Sequence, residues 1–428
     1  MDYSNSFIST HRIKDNLINN QRNNIIGENM DFSFTEEQEL FRRSVREFCE
    51  KKLAPRANEI DEKGEIPHEI LKEMASFGLL GITISERYGG SGADFINATI
   101  AAEEIARVDL SMATAVYYLV EAGWGFLMER YASEKAKEEI LPDITKGKTF
   151  LGIASTEATG GSDIASISTT LEKRDGKLIV NGAKTFISGV REATRYGGGY
   201  VAIVKTSPEL KHKGLSLCYL PVKNVQGITT SIFKQMGREG ISTGTIDINS
   251  VEIPEHYLIG EWNRGFYYAM EGFNCARTLV AAACIGAAEK ALEIGVEYIK
   301  ERHVFGTPLA KFEGIQFQMA EEYTKLEAAK LLVHKAAWML DQMYTENRFS
   351  IGEINKAVAT AKLVAPTTAF DIIKDVLTWY GAYGYTKEAG LERGLRGVYS
   401  YIIGAEGAQN IMKMIIGREI LGKEFASY

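Results

Sequence analysis

Glu406 stands in a setting that suits proton transfer. It lies between two segments with helical patterning and is followed by Gly407. A carboxylate placed just before a helix leaves its own backbone N–H free to face an anion or a carbonyl oxygen. Burial beside an apolar ligand would raise the pKa of this carboxyl toward neutral pH, where a general base is most effective. Glu406 is therefore a candidate for proton transfer, and the alternative is a glutamate that only caps a surface helix.

A hydroxyl-rich loop supplies a second candidate site. The apolar run 150–154 leads into the loop STEATGGSD at 155–163, and the chain returns through FISG at 186–189. Between them, Asp175-Gly176 separates two alternating segments and predicts a tight hairpin turn. N–H and hydroxyl groups of the loop are suited to hold a planar, polar ligand against the face of Phe186. The alternative is an ordinary edge hairpin with a polar loop.

The signatures of other enzyme classes are missing or misplaced. Residues 240–244 read GISTG, which matches the GxSxG motif of serine hydrolases, but a strand-like run follows where that motif requires a helix. No phosphate-binding GxxxxGK[ST] occurs, and the glycine-rich segment 89–92 lacks the GxGxxG spacing of a nicotinamide site. The four cysteines include no CxxC pair, so the sequence predicts neither a metal site nor a disulfide framework.

Composition and charge limit the classes of protein to which this chain can belong. The chain has 428 residues, of which 45% are hydrophobic and 25% charged, which is typical of a globular enzyme with two or three domains. A net charge of −7 argues against nonspecific binding to nucleic acid. The longest strongly apolar run, 279–288, is far shorter than the ~20 residues of a membrane helix, and residues 1–29 lack the apolar core of a signal peptide. We therefore expect a cytoplasmic protein with neither a nucleic-acid nor a membrane partner.

The hydrophobic pattern changes twice along the chain. Residues 30–149 read as helices, beginning with a capping box at Thr35 and Gln38. Residues 150–262 contain short alternating segments between turn residues, which predict an antiparallel barrel or sandwich. Residues 263–428 return to long amphipathic stretches of a helical bundle. We expect an α+β fold with these three domains, preceded by a disordered extension at 1–29.

The two candidate sites carry motifs of a known family. The loop TEATGGSD and the return NGAKTFISG resemble the TEPxAGSD and NGxKxWITNG motifs of the acyl-CoA dehydrogenase family, and the segment around Glu406 resembles its YEGTxxIQ signature. The resemblance covers about residues 30–426. It implies the acyl-CoA dehydrogenase fold: an all-α N-terminal domain, a central antiparallel β-barrel or sandwich and a C-terminal four-helix bundle.

The resemblance also implies an activity. Members of the family are FAD-dependent and convert an acyl-CoA thioester to the trans-2-enoyl-CoA in fatty acid β-oxidation. Glu406 corresponds to the family's base, which abstracts the α proton while the β hydride passes to flavin N(5). Electrons then go to an electron-transfer flavoprotein. Family members are usually homotetramers, arranged as a dimer of dimers.

Individual residues acquire roles through the same motifs. The segment 302–306 corresponds to one that reaches the FAD of a neighbouring subunit, and 378–384 corresponds to the loop on the adenine side. The positions that match FAD contacts in the family are Ile153, Ser155, Thr156, Ser162, Phe186, Ser188, Arg302, Val304, Phe305, Glu313, Thr378, Trp379, Gly381, Ala382, Ala408 and Asn410. The positions that match substrate contacts are Ser162, Asn274, Arg277 and Gly407.

Substrate and mechanism leave alternatives open. Ala405 stands where many relatives carry a tyrosine beside the acyl chain, which favours a branched, cyclic or aromatic acyl group over a straight one. Some relatives place the base directly before Arg277, but that position is Ala276 here, which excludes this variant. The alternatives are an acyl-CoA oxidase or flavin monooxygenase on the same fold, a cyclic acyl-CoA dehydrogenase with Asp94 as base, and a non-enzymatic scaffold.

Overall fold

The structure, a computed structural model, describes residues 32–425, and the predicted extension at 1–29 lies outside this range. Within residues 32–41 the predicted capping box forms. The N–H of Gln38 donates to Thr35 Oγ1 at 3.2 Å, and the N–H of Thr35 donates to Gln38 Oε1 at 3.0 Å. These bonds satisfy two backbone donors that have no partner inside the helix, which fixes where the first helix begins.

The first third of the chain is helical, as predicted. Its six helices are α1 Glu36–Phe48, α2 Ala57–Lys63, α3 His68–Ser76, α4 Phe95–Val108, α5 Ala113–Tyr131 and α6 Glu134–Thr145. Most side chains of α4 and α5 are buried on every side, so these two helices form the interior of the domain. The carboxylate of Asp94 caps α4 by accepting a hydrogen bond from the N–H of Asn97 at 2.8 Å.

The middle third contains one eight-stranded, mostly antiparallel sheet. Its strands are β1 Phe150–Ala154, β2 Thr170–Arg174, β3 Lys177–Ser188, β4 Gly198–Lys205, β5 Leu215–Pro221, β6 Ile228–Ile232, β7 Thr243–Pro254 and β8 Leu258–Ile259. The order is β6-β7-β3-β2-β4-β5-β8, with β1 parallel to β4 and a short helix, α7 Val190–Tyr196, between β3 and β4. The sequence did not predict α7, which is only two turns long.

The predicted hairpin turn joins β2 to β3. Arg174 pairs with Lys177, which leaves the two residues between them in the turn. Asp175 and Gly176 both have left-handed φ angles, 51° and 74°. This is the backbone of a two-residue turn that follows the twist of the strands, and Asp-Gly is among the pairs that adopt it most readily.

The last third is a bundle built on one long helix. Its elements are α8 Gly265–Glu301, the small hairpin β9 His303–Val304 and β10 Thr307–Pro308, α9 Glu313–Glu346, α10 Ile351–Trp379, α11 Glu392–Ile403 and α12 Gln409–Leu421. Helix α8 packs against α4, α5, α9 and α10 and is buried almost continuously from Gly272 to Ala288. The sequence predicted the long helical stretch only from Thr278. Residues 272–277 are buried on all sides, and such a segment shows no amphipathic period.

A glycine allows α8 to approach α4. A Cβ atom at Gly286 would lie 2.1 Å from the carbonyl oxygen of Glu103, so any other residue would force the helices apart. Among the described residues, no helix combines the length and apolarity needed to cross a bilayer.

Candidate active site

A cavity of about 560 Å³ lies where the sheet meets the helices. The ends of β1 and β3 and the loop after β1 line one side, and α5, α8, α11 and the segment 404–408 line the other. The cavity brings together ten of the predicted site residues: Ile153, Ser155, Thr156, Ser162, Phe186, Ser188, Arg277, Glu406, Gly407 and Ala408. The candidate base and the hydroxyl-rich loop, which are far apart in sequence, therefore face the same space.

Glu406 occupies a strained connection between α11 and α12. Ala405, Glu406 and Gly407 have consecutive positive φ angles of 33°, 60° and 115°. Such angles are uncommon for residues other than glycine and persist only where the surroundings hold them. The Oε2 atom of Glu406 is buried without a hydrogen-bond partner among the described residues. Burial raises the pKa of the Glu406 carboxyl to about 7, against the opposing effect of Arg277, Lys362 and Arg238.

Two buried cations hold this connection in place. The Nε of Arg277 donates to the backbone oxygen of Glu406 at 2.7 Å. The Nζ of Lys362, on α10, donates to the carbonyl oxygens of Tyr401 at 2.8 Å and Gly404 at 3.3 Å, and also to that of Gly407. Burial lowers the pKa of Arg277 to about 10 and, with the nearby Arg277, lowers that of Lys362 to about 8. The position of Glu406 is thus fixed through backbone oxygens on both sides of it.

The hydroxyl-rich loop is fixed by a buried ion pair. The Nζ of Lys184, on β3, lies 2.9 Å from Oε1 of Glu157, and both side chains are inaccessible to solvent. The Glu157 carboxylate also accepts from the N–H groups of Ser168 at 2.6 Å and Thr169 at 2.9 Å. Burial opposes ionisation of Glu157, but Lys184 and these hydrogen bonds outweigh it and lower its pKa to about 2. The loop is therefore anchored to the sheet at its base.

The return strand presents an aromatic face to the cavity. The β3–β7 register shifts between Lys184 and Ile187, and Phe186 has a φ of 57° at this irregularity. A bulge of this kind redirects a side chain that would otherwise follow the alternation of the strand. The ring of Phe186 is 65% exposed and stacks on Phe233 with centroids 5.3 Å apart, so one ring face remains available to a ligand.

The other predicted cofactor contacts do not line this cavity in the single chain. They lie on or next to the β9–β10 hairpin, at the start of α9, at or just after the end of α10, and on α12. They are Arg302, Val304, Phe305, Glu313, Thr378, Trp379, Gly381, Ala382 and Asn410. Phe305 is 95% exposed. The indole N–H of Trp379 is already bound to Gln318 at 2.8 Å. Asn274 lies behind the cavity, where its amide donates to Asn355 at 2.7 Å.

The alternative catalytic residues lie elsewhere. Asp94 is exposed, caps α4 and is not among the cavity residues. Ser242 of the GxSxG motif donates to Glu192 at 2.6 Å and accepts from the N–H of Arg191 at 2.8 Å. A hydroxyl tied to a carboxylate in this way, without a histidine, is not an activated nucleophile of the hydrolase type.

Sequence reasoning missed several residues around the cavity. These are Lys362, the Glu157–Lys184 pair, Arg238 and Tyr401. One signal was available for Lys362, because a single lysine interrupts the otherwise apolar run AVATAKLVAP of α10. A lysine inside a buried helix needs acceptors nearby, and here they are the carbonyls around Glu406. No local pattern marks Arg238.

Three family models match almost the entire described chain. They are the N-terminal domain of acyl-CoA dehydrogenase over residues 35–148, the middle domain over 152–251 and the C-terminal domain over 263–421. An acyl-CoA dehydrogenase of Bacillus subtilis (strain 168) is 33% identical over 91% of this chain and 99% of its own length. The caffeyl-CoA reductase-Etf complex subunit CarC of Acetobacterium woodii is 34% identical over 91% of this chain and 100% of its own.

Solved structures agree with the sequence matches. The three-dimensional structure of butyryl-CoA dehydrogenase from Megasphaera elsdenii aligns with a TM-score of 0.84 and 30% identity, covering 92% of this chain and 100% of that one. The three-domain fold predicted from the motifs is thereby confirmed. The chain belongs to the acyl-CoA dehydrogenase family, whose members are FAD-dependent oxidoreductases acting on CH–CH groups.

Proposed function

We propose that this protein catalyses the FAD-dependent α,β-dehydrogenation of an acyl-CoA thioester, with Glu406 as the base that removes the α proton. The observation that supports this role is the state of the Glu406 carboxyl. It faces the cavity shared with the hydroxyl-rich loop, one of its oxygens is buried without a partner, and its pKa lies at about 7. A base with that pKa is ionised in a large fraction of molecules at neutral pH and still accepts a proton readily.

The residues of the cavity suit FAD and a thioester together. Ser155, Thr156, Ser162 and Ser188 bring hydroxyl groups to the sheet side, where Phe186 adds a ring face. When bound, FAD supplies the acceptor for the β hydride. We assign the sheet-side residues to the cofactor's ring system. We assign the predicted contacts outside the cavity, on and near α9, α10 and the β9–β10 hairpin, to FAD shared with a neighbouring copy.

Apolar side chains also line the cavity. Val116, Leu119 and Val280 line it, and they would exclude water from the acyl chain. The backbone N–H of Glu406 makes no backbone hydrogen bond within the described chain, so it is available to the thioester carbonyl oxygen. A donor at that oxygen stabilises the negative charge that develops when the α proton leaves. Glu406 thus provides both the base and one donor to the carbonyl.

The proposed electron acceptor is an electron-transfer flavoprotein. The name of the Acetobacterium woodii relative describes a reductase that forms a complex with Etf, which favours such a partner here. The same name shows that relatives also work in the reductive direction. We propose acyl-CoA oxidation as the reaction of this chain and a homotetramer, a dimer of dimers, as its assembly.

The test of the base compares two substitutions in the FAD-loaded protein. Glu406→Gln should slow anaerobic bleaching of the flavin by an acyl-CoA by roughly 10²–10⁴-fold, because the amide cannot take the proton. Asp94→Asn should leave the rate within a few-fold of wild type, since Asp94 caps a helix outside the cavity. Loss of bleaching in Asp94→Asn with retention in Glu406→Gln would assign the base to Asp94 instead.

Reoxidation distinguishes the dehydrogenase from an oxidase or a monooxygenase on the same fold. After reduction by an acyl-CoA, the flavin of a dehydrogenase should react slowly with oxygen and quickly with an added electron-transfer flavoprotein. Both rates can be followed by stopped-flow absorbance. Rapid reoxidation by oxygen, with hydrogen peroxide or a hydroxylated product, would favour the alternative activities.

The size of Ala405 supports a bulky acyl group. Ala405 lines the cavity next to the base, and its methyl leaves space that a tyrosine would fill. We therefore expect branched, cyclic or aromatic thioesters to reduce the flavin with a higher kcat/KM than butyryl-, octanoyl- or palmitoyl-CoA. Preference for these straight chains by an order of magnitude would contradict the expectation.

A further inference from the structure

Arg238 reaches the same cavity from the turn between β6 and β7. The side-chain amide of Gln235 donates to the carbonyl oxygens of Arg238, at 3.0 Å, and Ile241. The N–H of Ile241 also donates to the Arg238 oxygen, at 3.1 Å. Arg238 itself has a φ of 59°, a left-handed conformation uncommon for arginine. The turn therefore holds the residue in a strained backbone state whose side chain lines the cavity.

The guanidinium of Arg238 has no counterion in the described chain. No carboxylate lies within 4.0 Å of it, and its Nε is buried without a hydrogen-bond partner. Arg396, which also lines the cavity, is different, because it pairs with Asp61 at 2.7 Å and Glu392 at 3.0 Å. Arg277 is likewise occupied by the backbone of Glu406. Arg238 is thus the cavity arginine that has neither a carboxylate nor a carbonyl acceptor among the described residues.

The buried hydroxyl of Tyr401 lies beside Arg238. Tyr401 is 1% exposed, its ring centroid is 6.0 Å from Cζ of Arg238, and its Oη has no hydrogen-bond partner among the described residues. Its backbone oxygen accepts from Lys362, which ties the residue to the connection that carries Glu406. The Arg238 guanidinium and the Tyr401 hydroxyl therefore line one cavity close enough to interact with each other, and neither has a carboxylate or carbonyl acceptor among the described residues.

Unpaired buried donors of this kind are costly unless a ligand satisfies them. A buried charge is normally paired, and an unpaired polar atom carries the full cost of its desolvation. A guanidinium presents a planar set of N–H donors that matches a carboxylate, and a neighbouring hydroxyl adds a further donor. Glu406 is the only carboxylate that lines the cavity in the described chain, and it makes no ion pair with Arg238.

We propose that Arg238 and Tyr401 bind a carboxylate carried by the acyl group, so that the substrate is a mono-CoA thioester of a dicarboxylic acid. This inference rests on the proposed acyl-CoA dehydrogenase function and specifies the substrate of that site. It is compatible with the space left by Ala405, because a branched or cyclic acyl group can carry the second carboxylate. Arg238 and Tyr401 then act as specificity residues, and Glu406 keeps its role as base.

The experiment compares matched thioesters on FAD-loaded protein. Succinyl-, glutaryl- and adipyl-CoA are set against butyryl-, valeryl- and hexanoyl-CoA, and flavin bleaching gives kcat/KM for each. Arg238→Met should lower kcat/KM for the carboxylated series at least ~30-fold, as expected for loss of one partner of a buried ion pair. Because Arg238 also lowers the pKa of Glu406, the rates are compared at pH 9, where that carboxyl is largely ionised in both proteins, and the methyl-terminated series should then stay within ~3-fold. Tyr401→Phe should lower only the carboxylated series, by about 5-fold.

Measuring binding in a variant that does not turn over separates the effect of Arg238 on substrate binding from any effect on the reaction rate. In the Glu406→Gln background, the dissociation constant of glutaryl-CoA, read from the shift of the flavin spectrum, should rise with Arg238→Met while that of valeryl-CoA stays constant. Arg174→Met, at the exposed end of β2, is the matched control and should change neither. Arg238→Lys should restore part of the preference, because it keeps the charge and loses the planar geometry.

The outcomes separate the two proposals. Bleaching by the methyl-terminated series alone would refute the carboxylate subsite and leave the dehydrogenase function standing. Bleaching by neither series would refute both. An equal loss for all thioesters in Arg238→Met would show that Arg238 serves the base or the flavin and would overturn its role in substrate selection.

Discussion

At the scale of residues, the chemistry depends on how one carboxyl is surrounded by buried cations. Glu406 lies near Arg277, Lys362 and Arg238. Lys362 donates to backbone oxygens, and Arg277 donates to a backbone oxygen and to Asn274 Oδ1, so neither donates to the Glu406 carboxylate. Burial therefore dominates, and the pKa of Glu406 rises to about 7. Had either cation bonded the carboxylate directly, the pKa would have fallen and the residue would be a poor base.

The raised pKa predicts the pH dependence of the reaction. The rate constant kcat/KM should rise about tenfold per pH unit below pH 7 and level off above it, because only the ionised carboxylate accepts the α proton. Initial rates with an acyl-CoA between pH 5 and 9 would show this. A profile that is flat down to pH 5 would mean that Glu406 is already ionised there, contrary to its burial.

The same shift predicts a pH dependence of stability. Because the folded pKa, about 7, exceeds the ordinary value of 4.5, the folded state retains a proton that the unfolded chain has released between these values. The free energy of unfolding should therefore fall as pH rises from 4.5 to 7, by the contribution of this group. Glu406→Gln should remove that contribution, which urea unfolding at pH 5 and pH 8 would reveal as a smaller difference between the two conditions.

Ser242 provides a second residue-scale prediction. Its hydroxyl bridges Glu192 and the N–H of Arg191, and Ser242→Ala should lower the free energy of unfolding by about 1 kcal/mol without changing kcat. Wild-type protein should not be labelled by a fluorophosphonate, which modifies activated serines. Labelling that disappears in Ser242→Ala would instead reveal a nucleophile in the GxSxG motif.

At the scale of elements, the site is set by two short segments that rigid elements hold in place. The segment 404–408 is bound by Lys362 from α10, and the loop 155–163 is bound by Lys184 from β3. In both segments a buried lysine pairs with oxygens that would otherwise have no donor. Lys362 donates to carbonyl oxygens of the irregular backbone, and Lys184 donates to the buried Glu157 carboxylate. Loops anchored in this way can carry precise chemistry although they contain little regular structure.

Substitution of Lys362 tests the first anchor. Lys362→Met should lower the free energy of unfolding by about 1–3 kcal/mol, since three carbonyl oxygens lose their donor. Loss of its charge should also raise the pKa seen in the pH–rate profile, because Lys362 favours ionised Glu406. Lys374→Met, on the exposed side of the same helix, is the control and should change neither. An unchanged pH–rate profile in Lys362→Met would show that Lys362 has only a structural role.

The Glu157–Lys184 pair tests the second anchor. Lys184→Met would leave the Glu157 carboxylate buried without its cation and should cost about 3–5 kcal/mol of stability. Below the ordinary pKa of a glutamate the penalty should shrink, because protonated Glu157 no longer needs the cation. Lys177→Met, on the exposed end of the same strand, should cost less than 1 kcal/mol. Equal losses from both variants, measured by urea unfolding, would contradict a structural role for the buried pair.

At the scale of the whole molecule, the single chain leaves one group of predicted cofactor residues in solvent. Phe305, with a φ of 52° and 95% exposure, is the clearest of them. Arg302 and Glu313 are also exposed. Arg302 and Phe305 belong to the segment 302–306, which corresponds to one that reaches the FAD of a neighbouring subunit in the family, so the proposed tetramer would give them a partner that the single chain does not.

A cofactor site shared between subunits should link assembly to flavin content. Phe305→Ser should lower both the fraction of tetramer in light scattering and the ratio of flavin to protein after gel filtration, with little change in helix content by circular dichroism. Leu210→Ser, at an exposed apolar residue that no motif assigns to FAD, is the matched control. A Phe305→Ser protein that remains tetrameric with full flavin would contradict the shared site.

The sequence by itself determined the class of fold, the hairpin at Asp175-Gly176, the cap at Thr35 and the two motifs that face each other across the cavity. These features are encoded locally, in hydrophobic period, turn chemistry and short runs of residues. Only the tertiary structure decided which charges surround Glu406 and that Arg238 and Tyr401 are left without acceptors. Such features depend on burial and on contacts between residues far apart in the chain. Desolvation shifts a pKa, or removes water from a donor that has no other partner, only once the elements have packed together.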